Sequence, residues 1–144
     1  MIEQDTIKLL RECDAGVKMC IASINDVLGY IHADDLRHCL SNCMSEHEGL
    51  EKEIESLLDS YHDRGKEPNP MAKGMSWVKT NVKLSVNHSD AAIADLMTNG
   101  CNMGVKSLNK YLNQYKAAEE RSKDIAKRLI HLEEKLTVDI RQFL

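Results

Sequence analysis

Apolar residues recur along this chain at alternating steps of three and four, the spacing that lines them up on one face of a helix. The first stripe runs Ile7, Leu10, position 14, Val17, Ile21, Ile24, Leu28 and Ile31. The second runs Leu36, Leu40, Cys43, position 47, Leu50, Ile54, Leu57 and Tyr61. They predict helices over about 6–31, with Asp5 as N-cap, and about 34–64, ended by Gly65. Between Ile31 and Leu36 the phase jumps across His32, Asp34 and Asp35, which places a tight turn there. After a loop from Lys66 to Asn69, the Asn69-Pro70 pair suits an N-cap and first helical position. A shorter helix over about 71–86, carrying Trp77, follows from it. Ser89 is placed to cap a long helix reaching about 115, with the stripe Ala94, Met97, Cys101, Val105, Leu108, Leu112 and Tyr115. The last helix, about 120–143, carries Ile125, Leu129, Leu132, Leu136, Ile140 and Phe143.

One boundary stays open. No glycine or proline follows Gly104, but residues 116–124 are dominated by charge and hold no apolar side chain larger than alanine. That composition favours a turn. The alternative is one continuous helix over 89–144 that pairs with a second copy as a homodimer.

An internal repeat organises these elements. Cys13-Asp14-Ala15-Gly16-Val17-Lys18 matches Cys101-Asn102-Met103-Gly104-Val105-Lys106, so the chain reads as two helical hairpins joined by the segment from Gly65 to His88. Glycine inside a helix costs roughly 1 kcal/mol against alanine. A matched pair, Gly16 and Gly104, therefore suggests close approach of two backbones. Helices of this length span roughly 40 Å, and the connector is long enough to travel back along them.

Composition narrows the chemistry. The 144 residues suit a single domain, 1–144, and with only 4% aromatic residues the core must be built from Leu, Ile, Val, Met and Cys, which favours an all-α fold. The net charge of −4 is spread as mixed acidic and basic residues, with no basic patch and interleaved aromatics, which argues against nucleic acid as a partner. No basic stretch leads into an apolar run at the N-terminus, and no segment approaches the ~18 apolar residues of a membrane span. The expectation is a cytoplasmic protein with no membrane partner and with reduced Cys13, Cys20, Cys39, Cys43 and Cys101. Cys39 and Cys43, one turn apart, could seed a metal site but more often such a pair means two buried thiols, and no Cys–His pairing is legible from spacing.

The two hairpins of long helices, Gly16 and Gly104, Ser76-Trp77 ahead of Asp90, and His131 in the last helix resemble the ferritin-like superfamily. The nearest likeness is to an uncharacterised bacterial family of ferritin-like four-helix bundles, a domain of unknown function, and it spans Asp5 to Leu144. The resemblance implies a long crossover containing a short helix. It also implies a di-metal centre of iron or manganese, held by one Glu on each of two helices and Glu-x-x-His on each of the other two. Glu-x-x-His occurs nowhere in this chain, so no intact site of that type is expected.

What remains is a polar layer at mid-height. Asp14 and His47 interrupt otherwise apolar seams, at 18 residues before and 15 after the turn near residue 32. Asn102, His131, Glu133 and Glu134 form the corresponding level of the second hairpin. Paired burial predicts an Asp14–His47 hydrogen bond that fixes helix register. The sharper alternative is an altered metal site with Asp14, His47, His131 and Glu133 or Glu134 as ligands, whose carboxylate and imidazole donors suit iron, manganese or zinc. The sequence thus leads to a non-enzymatic bundle with no cofactor and a structural or partner-binding role. The runner-up is a metal-binding oxidoreductase or storage protein with an unorthodox ligand set.

Overall fold

The computed structural model describes residues 2–63 and 89–144. Within them the chain forms a four-helix bundle, with no strand among the described residues. Helix α1 spans Ile2–Leu28, α2 Asp34–Ser60, α3 Asp90–Gln114 and α4 Glu120–Asp139, and a 3-10 turn over Arg141–Phe143 closes the chain. The loop from Lys66 to Asn69, the Asn69-Pro70 cap, the helix expected over 71–86 and Trp77 lie outside the described residues.

Local chemistry explains where the helices stop. Helix α1 starts at Ile2, so Asp5 sits in its first turn rather than at an N-cap, where its charge suits the helix dipole. Helix α2 ends before Gly65. His62 takes the left-handed conformation at φ 58°, and the N–H groups of His62 and Asp63 donate to the Asp59 and Leu58 carbonyls at 2.9 Å each. This is a Schellman closure built without glycine. Ser89 caps α3 as expected, its hydroxyl oxygen accepting from the Ala92 N–H at 3.1 Å. Residues 115–119 turn the chain, so 89–144 is a hairpin and not one continuous helix.

The hairpins clasp each other at both ends. The Asp90 carboxylate accepts from the backbone N–H groups of His32 (2.8 Å) and Ala33 (2.9 Å), holding the α1–α2 turn. At the other end, Asp5 accepts from the Ala117 N–H at 3.1 Å, and the Thr6 hydroxyl accepts from the Glu119 N–H at 2.8 Å. Each turn thus has its otherwise orphaned N–H groups satisfied by the first turn of a helix in the other hairpin. Tyr61 adds a hydrogen bond to Glu119 at 3.0 Å, and Arg128 grips Glu53 through two bonds of 2.9 and 2.8 Å.

Among the described residues the core divides into two apolar clusters. One gathers Ile24, Val27, Leu36, Leu40, Ile93, Met97, Leu136 and Ile140, and the other Leu9, Leu10, Val17, Leu50, Ile54, Leu108, Ile125 and Leu129. Each fully buried Leu or Ile contributes on the order of 1.5–3 kcal/mol, so these clusters carry the fold. On every helix the break between them falls at one height. It lies after Val17 on α1, after Cys43 on α2, after Cys101 on α3 and after Ile130 on α4. The expected hydrophilic break at mid-height is present, and His47, Gly104 and Glu133 occupy it.

Candidate metal centre

Helix α1 brings Cys20 to this waist, and α2 brings Cys43 and His47, which one helical turn places on the same face. The ligand-capable atoms of these three residues lie within 4.8 Å of one another, and all three side chains are buried. Points that close share a centre at most about 2.8 Å from each, so a small contraction reaches the ~2.3 Å Zn–S and 2.0–2.1 Å Zn–N distances.

The hydrogen bonds orient the ring. His47 Nδ1 lies 2.8 Å from the Cys43 carbonyl oxygen and 3.4 Å from Cys43 Sγ. A carbonyl only accepts, so Nδ1 carries a proton, and the neutral ring keeps its free lone pair on Nε2. Nε2 is buried and has no hydrogen-bond partner. A ring anchored through Nδ1–H to a backbone carbonyl has Nε2 as the nitrogen it can offer to an ion.

The electrostatics are coupled. Interaction with the Cys20 thiol, aided by the His47 ring, outweighs burial and holds Cys43 down to about 6. Cys20 moves the opposite way, pushed well up by its interaction with Cys43 and by burial. Burial opposes the charged form of His47, but the Cys43 sulfur and carbonyl and the charge of Glu133 together push its pKa up. Glu133 is raised to about 8 by burial, with His47 pulling against it. Cys101, on α3 and 3% exposed, is pushed up by burial and by Glu133. The lowered pKa of Cys43 favours the thiolate, the form in which its sulfur binds a cation.

Of the residues read from the sequence as ligands, His47 is in this cluster, and Asp14, His131 and Glu134 are not. His131, Glu134 and Asn102 are exposed. Asp14 is fully buried, but its Oδ2 accepts from Lys18 Nζ at 2.7 Å and its Oδ1 has no partner, so the expected Asp14–His47 hydrogen bond does not form. Glu133, one residue before Glu134, is the carboxylate that turns inward, 7% exposed and with Oε2 unpartnered. The two glycines differ as well. A Cβ on Gly16 would meet only Leu129 Cδ2 at an ordinary 3.8 Å, whereas one on Gly104 would overlap the Glu133 carboxyl, 2.7 Å from Oε1 and 2.9 Å from Cδ. Neither glycine serves a close approach of backbones.

Cys20 and the Cys43–His47 pair escaped the sequence reading, although the signal was there. Cys20 lies 12 residues before position 32 and Cys43 lies 11 after it, the same height in an antiparallel hairpin. The first stripe runs through Ile21, and the buried face of α1 is broad enough to include Cys20 beside it.

The donors gathered within 4.8 Å of one another are two thiols and one imidazole. They do not fit a di-iron or di-manganese carboxylate centre, which needs several carboxylates around two ions. No family model matches this chain, and neither does any curated protein or solved structure.

Proposed function

We propose that this protein is a ferritin-like bundle that binds one zinc-class divalent ion, with Cys20, Cys43 and His47 as ligands and a structural rather than catalytic role. The convergence of these three buried side chains from two helices carries the reading. Thiolate with imidazole is a borderline-soft donor set, suited to zinc over calcium or magnesium. A cleft of about 70 Å³ between α2 and α4, lined in part by Cys39, Cys43, Glu46 and Lys135, gives an ion a route to Cys43.

Two features support the ferritin-like arrangement. Asp90 at the start of α3 holds the turn that precedes α2, so α2 and α3 begin at the same end of the bundle. The described residues on either side of the connection, Asp63 and Ser89, therefore lie at opposite ends of the bundle, the placement a long crossover of that superfamily requires. No described helix is long and apolar enough to cross a membrane.

Elemental analysis of protein purified without chelator tests the metal reading. About one equivalent of zinc per chain is expected, lost in Cys43→Ser and His47→Ala. Substoichiometric metal that both variants retain would sink it.

A further inference from the structure

Three protein ligands leave a tetrahedral ion with one open position, and what fills it decides whether the site is closed or reactive. The waist offers two candidates from the second hairpin, Cys101 on α3 and Glu133 on α4. A buried thiol behaves as a small apolar group and rests without a partner at little cost. A buried carboxyl does not. Glu133 is 7% exposed, its Oε2 has no hydrogen-bond partner, and its carboxyl lies in the notch left by the missing side chain of Gly104. Glu133 stands at the height of His47, in the break between the two apolar clusters, and its carboxyl lies outside the 4.8 Å group, so a side-chain rotation brings it to the ion.

We propose that Glu133 is the fourth ligand, so that one zinc-class ion is enclosed by two thiolates, an imidazole and a carboxylate and ties the first hairpin to the second. The inference rests on the Cys20–Cys43–His47 reading above and extends it across the bundle. A divalent cation satisfies the orphaned Oε2 and His47 Nε2 together and offsets three anionic donors to a net single negative charge. Because the four donors come from α1, α2 and α4, bound metal couples the packing of the two hairpins, and the site forms only in the folded chain. Gly104 keeps the space through which the carboxyl turns toward the ion.

Cobalt(II) titration of the full, reduced chain, with competition against a chromophoric chelator, tests this. Wild-type protein should show charge-transfer absorption of two thiolates and a rise in unfolding temperature on metal binding. Glu133→Gln should keep the two-thiolate intensity and lose roughly 10–100-fold in affinity. Gly104→Ala, which displaces the carboxyl while leaving its charge, should weaken binding in the same direction and guards against a folding defect of the Gln variant. Cys101→Ser should match wild type. Unchanged affinity in Glu133→Gln and Gly104→Ala, or a three-thiolate spectrum that falls by a third in Cys101→Ser, overturns Glu133 as the ligand while leaving the three-residue site intact. No thiolate charge transfer in wild type overturns both.

Discussion

The carboxyl group of Glu133 fills the space that a side chain on Gly104 would need, with Oε1 only 2.7 Å from the position of a Cβ. Glycine at this point of α3 is therefore a packing requirement of a buried acid on α4. The matching glycine in the repeat has no such neighbour, so the two positions should respond differently to the same substitution.

Gly16→Ala is expected to raise stability by roughly 0.5–1 kcal/mol, the helix-propensity gain of alanine. Gly104→Ala should fail to show that gain, because the carboxyl must shift. In a Glu133→Ala background the gain should return, with a coupling of about 0.5–3 kcal/mol between the two positions. Urea unfolding of the four proteins measures it, and additive effects would refute the contact.

Reactivity of the thiols should follow their surroundings. Cys43, held down to about 6 and bordering the cleft, is expected to alkylate fastest with iodoacetamide near neutral pH. Cys13, raised to about 12 by burial and the charges of Glu12 and Asp14, should be inert in the folded protein. Cys39 is more exposed, yet its thiol is raised by burial and by the charge of Asp139. Peptide mapping after brief labelling reads the order, and faster labelling of Cys39 than of Cys43 would contradict the Cys43 thiolate.

The buried acid also makes a pH signature. Burial raises Glu133 to about 8, against an ordinary 4.5 in the unfolded chain. Its contribution to stability is full below the unfolded value and is lost as pH rises through the folded one. Cys43 runs the other way, gaining between about 6 and the ordinary 9.0. Glu133→Gln removes only the first effect. Metal-free wild type should therefore lose unfolding temperature relative to Glu133→Gln as pH climbs from about 5 to 8. A difference independent of pH would show the carboxyl ionised throughout.

Much of the architecture was legible because helix periodicity is a local property. Leu10, Leu36, Leu40, Leu50, Ile54, Leu129 and Leu136 were on predicted seams and are buried. The turn before Leu36 and the Ser89 cap were readable for the same reason, since capping involves residues three positions apart. The end of α2 was not. It depends on His62 accepting a left-handed backbone, which a histidine does rarely and sequence does not announce.

The site was half legible. His47 stood out because a histidine on an apolar seam breaks the pattern, and Cys43 did not because a buried cysteine fits it. Glu133 and Glu134 differ by one step of 100° around α4, and only the bundle's packing sets which of them points inward.

Periodicity and composition by themselves determined that four amphipathic helices must bury aliphatic seams around a polar break at mid-height, because each stripe is written within its own segment. Only the tertiary structure decided which polar groups meet at that break. Cys20, Cys43, His47 and Glu133 lie on three helices, and the rotation of each about its axis is fixed by neighbours distant in the chain.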